Sequence, residues 1–152
     1  MIASVATSIL ILFLPQTDEG DARLAAHQGS WAVVAMIRDD QATPADILAS
    51  IRREVDRDHI VWTRDGKNFA GTRFEVDPTT SPPTIDLIPD GGKDRDKRIL
   101  GIYRLDGDML TICVADAGQP RPTAFEAKAG SKQTLQSFKR TTPTPKPRSH
   151  RP

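Results

Sequence analysis

The chain has 152 residues, with 21 Lys and Arg against 20 Asp and Glu and a formal net charge of +1. That length holds one domain and buries about two-thirds of the unfolded surface. Balanced charge and few aromatics (two Trp, one Tyr, five Phe) argue against a nucleic-acid binder that stacks bases and against a polybasic membrane module.

Ile2 to Leu14 holds only Ala, Ser and Thr besides large apolar side chains, and Pro15 ends it. The run falls short of a membrane span, which needs about 20 residues, and matches the apolar centre of a signal peptide. Gly20-Asp21-Ala22 places small residues where a signal peptidase reads, so residues 1–22 are expected to be an export leader. No Lys or Arg precedes the run, so either the true start lies upstream of Met1 or the leader is atypical, and the alternatives to export are an uncleaved anchor or a buried N-terminal strand.

Trp31 to Arg38 reads as the first strand. Thr43 then reads as a helix N-cap, with Pro44 at the first helical position and Asp46 in the first turn. Ile47, Leu48, Ile51 and Val55 recur at three- and four-residue spacing, which predicts an amphipathic helix from Pro44 to about Arg57. Its outer face would carry Arg52, Arg53, Glu54 and Asp56 in solvent. A single helix among strands suits a lid or plug over a barrel mouth.

From His59 onward the punctuation is that of an antiparallel meander. Asp65-Gly66 and Asp106-Gly107 are hairpin dipeptides. A two-residue Asp106-Gly107 turn pairs Leu105 with Asp108, Tyr103 with Leu110 and Gly101 with Ile112, gathering one apolar face. The opposite face, with Leu100, Ile102, Arg104, Met109, Thr111 and Cys113, is half-apolar and reads as half-covered. In the first hairpin Trp62 falls beside Phe69 for a two-residue turn, or beside Ala70 for a three-residue turn with a bulge. Either way Ala70, Thr72, Phe74 and Val76 share a face opposite Arg73, Glu75 and Asp77. Thr84 to Ile88, Ala124 to Ala127 and Thr134 to Arg140 supply further strands, and Gly91 to Lys97 a charged loop. The tail Thr141 to Pro152, basic and rich in proline without a large apolar side chain, reads as solvated and extended.

Residues that could carry chemistry are sparse. His27, His59 and His150 are scattered, with no pair at metal-ligand spacing, so no metal or cofactor is expected. The lone Cys113 lies in an apolar run and reads as a small buried hydrophobe. Ser30 and Ser137 lack a nucleophile elbow, and no catalytic residue emerges. Asp86 alternates with Ile85 and Leu87 and faces either a lumen or solvent. Arg121, held between Pro120 and Pro122, is placed to clamp a ligand carboxylate or to bridge the rim to Asp116 or Glu126.

Gly29-Ser30-Trp31 at the start of the first strand and Lys139-Arg140 at the end of the last match the Gly-x-Trp opening and stacked closing cation of lipocalin-type barrels. With Gly71-Thr72-Arg73-Phe74-Glu75-Val76-Asp77-Pro78, Thr84-Ile85-Asp86-Leu87, Gly101-Ile102-Tyr103-Arg104-Leu105-Asp106-Gly107-Asp108 and Arg121-Pro122-Thr123-Ala124-Phe125, the stretch from about His27 to Arg140 resembles an uncharacterised lipocalin-like domain family abundant in planctomycete bacteria. The resemblance implies export and a calycin-type barrel, with neither substrate nor catalytic residues. The helical insert around Ala45 to Val55 and the proline-rich tail depart from the commoner pattern.

The expected architecture is thus a mainly β, up-and-down antiparallel barrel of about eight strands over residues 27–140, with one amphipathic helix between strands 1 and 2. Trp31 and Arg140 would close one end. Phe74, Tyr103, Ile112 and Arg121 would line a lumen. The expected function is an exported binding module (periplasm, cell envelope or extracellular) for a small apolar or amphipathic molecule, monomeric, with no membrane span. The alternative is a structural or interaction domain of the envelope whose barrel is filled by its own side chains. An interior below about 300 Å³ favours the alternative, and an open apolar cavity with a few polar groups favours binding.

Overall fold

In the computed structural model, which describes residues 19–141, a short helix α1 (Glu19–Leu24) and a 3-10 turn (Ala25–His27) lead into the first strand. The leader expected over Ile2 to Leu14 and the tail beyond residue 141, His150 included, lie outside the described residues. The chain continues as β1 (Gly29–Arg38), β2 (Gln41–Ala42), α2 (Ala45–Ala49), β3 (Ile51–Asp56), β4 (His59–Arg64) and β5 (Lys67–Asp77). Then come β6 (Thr84–Pro89), β7 (Ile99–Asp106), β8 (Met109–Ala115) and β9 (Gln133–Thr141). All pairings are antiparallel between neighbours, and β1 also pairs with β9. The ribbon therefore closes into an eight-stranded barrel of β1 and β3 to β9, with β2 a two-residue ladder on the end of β1. Closure removes the exposed sheet edges that an open ribbon would present.

The predicted helix is real only in its first turn. α2 ends at Ala49, where Ser50 caps it, and Ile51–Asp56 is a barrel strand. The reason is an ambiguity of period. Residues four apart share a face in a strand as well as in a helix, so Ile51 and Val55 satisfy both geometries. Arg53 lies between them on the same inward face and is fully buried, not solvated as a helical outer face required. Ala124 to Ala127 is not a strand. That stretch crosses the outside of β7 and β8, where Phe125 lies under the Arg104 guanidinium (4.8 Å) and the Glu126 carbonyl accepts from the Cys113 thiol.

Hairpin registers follow turn chemistry. In the first hairpin Asp65 and Gly66 both adopt positive φ (51° and 77°), the geometry of a two-residue primed turn, and Arg64 pairs with Lys67. A bulge then skips Phe69, so that Trp62 pairs with Ala70. In the β7–β8 hairpin the turn residues are Gly107 and Asp108, because Asp106 pairs with Met109. Tyr103 consequently faces Ile112 rather than Leu110, a slide of two positions that leaves each side chain on its predicted face. β5 alternates as expected, with Thr72 and Phe74 buried and Arg73 and Glu75 exposed.

The barrel centre is filled. Trp31, Ile60, Phe74, Ile85, Tyr103, Leu110, Ile112 and Phe138 form one apolar cluster, joined by Leu48, Ile51 and Val55. Among the described residues no helix is long and apolar enough to cross a membrane.

Candidate ligand-binding site

The two ends of the barrel differ. At the end where β1 starts, Trp31 and Arg140 are register partners and the guanidinium carbon sits 4.2 Å from the indole centre. Arg140 also donates from Nη1 to the Gln28 carbonyl (2.6 Å) and from Nη2 to the Ala26 carbonyl (2.8 Å), with its Nε 3.4 Å from Asp108 Oδ1. Trp31 Nε1 donates to the His27 carbonyl at 2.9 Å. The side chain of the last strand thus ties down the backbone that leads into the first. Gly29 adopts φ +98° there, a conformation that side chains disfavour, and a Cβ would come 3.7 Å from Arg140 Nη1. This end is shut.

Above that floor lie two polar side chains unlike the rest of the core. His27 and Arg53 are both fully buried, and none of their side-chain nitrogens has a hydrogen-bond partner among the described residues. The His27 ring sits edge-on to Tyr103 (4.9 Å) and tilted to Phe74 (5.7 Å). The Arg53 guanidinium stands 5.3 Å from the Phe138 ring and 5.8 Å from Phe74. Burial drives the His27 pKa down to about 4, helped by the charges of Arg53 and Arg140, so the imidazole is neutral at pH 7. Burial likewise holds Arg53 down to about 9, with no carboxylate to offset it, and the group remains a cation at neutral pH.

The other end is open, around a cavity of about 590 Å³. Met36 of β1, Ile47 of α2, Ile51 of β3, Trp62 of β4 and the Phe69–Thr72 stretch of β5 supply its wall. Pro89, Gly91 and Gly92 close one side, and Thr43, Arg64, Thr72 and Gln136 contribute the polar groups. The bulge in β5 places Phe69 at the mouth, 54% exposed, where Arg64 covers its ring at 5.3 Å; Ile47 is 44% exposed.

The residues expected to line a lumen are elsewhere. Phe74, Tyr103 and Ile112 do face inward, but they are core, and none of them borders the cavity. Eight short strands leave an interior that side chains of this size fill. Arg121 is on the outside: its Nη1 is 2.7 Å from Asp86 Oδ1 and donates to the Gly101 carbonyl at 2.7 Å. Asp86 also takes Arg98, at 2.9 Å, so its strand face is the outer one. Asp116, an expected partner of Arg121, instead holds Arg38 through two 2.8 Å hydrogen bonds. Sequence reasoning missed Met36, Ile47, Ile51, Trp62 and Phe69. The signal for Trp62 and Phe69 was present in the two turn options of the first hairpin, since only a bulge leaves Phe69 outside the alternation.

No family model, no curated protein and no solved structure matches this chain.

Proposed function

We propose that this protein is an exported lipocalin-like binding module that takes a small apolar or amphipathic molecule into the open end of its barrel. The cavity carries the reading. Its volume of about 590 Å³ falls inside the range of about 300 to 1,000 Å³ typical of small-molecule sites. Its wall is mainly apolar, with Thr43, Arg64, Thr72 and Gln136 as the few polar groups able to orient a guest. Ile47 and Phe69 stand exposed at the rim, an apolar threshold of the kind that marks binding surfaces. Export is supported by the apolar run Ile2 to Leu14 and the small residues of Gly20-Asp21-Ala22.

Mass spectrometry of small molecules extracted from protein purified out of its native host tests the reading directly. A co-purifying apolar or amphipathic compound is the expected result. Titration with straight-chain alcohols supplies the second arm, read by tryptophan emission, because Trp62 borders the cavity while Trp31 lies sealed at the opposite end. The emission change should vanish in Trp62→Phe. An empty extract together with no emission response to any tail length would leave the side-chain-filled interaction domain as the better account.

A further inference from the structure

The least expected side chain in this barrel is Arg53. A buried guanidinium is ordinarily paired, because removing its donors from water costs several kcal/mol that only acceptors repay. Here Nε, Nη1 and Nη2 all lack an acceptor among the described residues, and no ion pair reaches the group. The flanking rings of Phe74 and Phe138 attract the cation through their faces at 5.8 and 5.3 Å, but they accept none of its in-plane hydrogen bonds in the way a carboxylate does.

Its place in the sheet relates it to the cavity. On β3, Ile51 and Arg53 are successive inward-facing residues, and Ile51 is part of the cavity wall. Across the strand pair the register partner of Arg53 is Trp62, also part of that wall. Residues paired in this way stand about 5 Å apart at Cβ. Trp62 in turn lies 5.9 Å from Phe138, the ring against which the guanidinium rests. Trp62 is therefore at once part of the cavity wall and the sheet neighbour of an unpaired cation, whose partner on the other side is Trp31 of the sealed end.

We propose that the guest is an anionic amphiphile, a carboxylate on an apolar tail, bound head-inward so that its carboxylate pairs with Arg53 beside Trp62 while the tail fills the cavity toward Ile47 and Phe69. This rests on the cavity reading above and deepens it. A planar guanidinium matches a carboxylate with two parallel hydrogen bonds, the strongest pairing available to a side chain. The apolar surroundings that leave Arg53 costly alone strengthen the pair once formed. Arg64 offers the competing anchor: it stands at the mouth, in solvent, where a pairing is weak and screened.

The test is a matched pair of probes, dodecanoate and dodecanol, titrated at neutral pH into the full-length protein and followed by Trp62 emission and calorimetry. Dodecanoate should bind about tenfold or more tighter than the alcohol, the discrimination expected of a buried charge-assisted pair. Arg53→Met should bring the two probes to similar affinity, while Arg53→Lys should keep part of the preference. In the wild type, the labelled carboxyl carbon of bound dodecanoate should stay ionised well below the pH at which the free acid titrates, which reads the contact without a variant. Equal affinity of both probes for the wild type would overturn the assignment and leave the cavity reading intact. A preference that survives Arg53→Met and falls with Arg64→Met would overturn it too, placing the head at the rim. Binding of neither probe would remove the cavity reading itself.

Discussion

Trp31 and Arg140 show how one pair of side chains does three tasks at once. The indole fills the end of the barrel, its Nε1 ties the His27 carbonyl, and its face receives a guanidinium that itself binds two backbone carbonyls. Trp31→Ala removes the filling and the stack together and should destabilise the fold by about 3 to 5 kcal/mol, the range for buried aromatic truncation. Arg140→Ala leaves the indole in place and should remove about 2 kcal/mol, the scale of charge-assisted bonds at a half-exposed site. Urea unfolding orders the two variants. Wild-type stability in both would mean that closure does not depend on the stack.

His27 makes a separate prediction. Its folded-state pKa of about 4 lies below the ordinary 6.5, so the unfolded chain takes up the proton first as pH falls. The stability that comes from a neutral His27 is complete above about pH 6.5 and is lost as pH falls to about 4, in total on the order of 3 kcal/mol. His27→Phe keeps the ring and removes the titration. Unfolding free energies at pH 7 and pH 4.5 should then differ less in the variant than in the wild type. Parallel losses would assign the acid limb to the carboxylates, of which Glu75 and Asp116 are held below their usual range by Arg98 and Arg38.

Among the elements, legibility followed how cleanly one periodicity spoke. β5 alternates plainly, and β7 and β8 meet at a glycine turn that sets their common apolar face, so these faces were readable in the sequence, although the β7–β8 turn sits one residue later than Asp106-Gly107 implied. β3 was hidden because its central inward residue is Arg53. A charge in the middle of Ile51, Arg53 and Val55 breaks the apolar alternation and leaves only the four-residue spacing, which a helix also satisfies. The same residue is the anomaly of the core, so the misread element and the missed site residue have one cause. The cavity was not legible because its wall comes from seven elements that meet only through the closed topology.

The stretch between β8 and β9 is a second case of an element defined by tertiary contacts and not by pattern. It has no ladder of its own and is tied down at intervals. Arg38 holds Asp116, Arg121 holds Asp86 and the Gly101 carbonyl, and the Asp39 and Asp40 carboxylates accept from the amides of Gly130 and Ala129. Arg121→Ala should cost about 1 to 2 kcal/mol, since it leaves a half-buried carboxylate and carbonyl short of a donor. Amide hydrogen exchange should rise along residues 116–132 while dodecanoate affinity stays as in the wild type, because Arg121 lies outside the cavity. Lost binding with unchanged exchange would return Arg121 to the ligand site.

At the scale of the whole molecule, the barrel divides its length between stability and binding. One end and the centre are packed with Trp31, Phe74, Tyr103 and Phe138, while the other end keeps its space open at a cavity whose rim residues Ile47 and Phe69 face water. The unpaired Arg53 sits at the boundary between the two regions. Replacing even a buried ion pair by apolar side chains of similar volume is often neutral or stabilising, by roughly 1 to 4 kcal/mol, and an unpartnered cation has no pairing to lose. The guest-free Arg53→Met protein should therefore melt at or above the wild-type temperature. Adding dodecanoate should reverse the order, because a ligand present at about a hundredfold its dissociation constant stabilises the folded state by about 2.7 kcal/mol. Differential scanning calorimetry with and without the guest measures both effects in one series. A crossing of the two proteins on addition of dodecanoate is the expected pattern, and a variant that melts far below the wild type without any guest would make Arg53 a structural residue of the core.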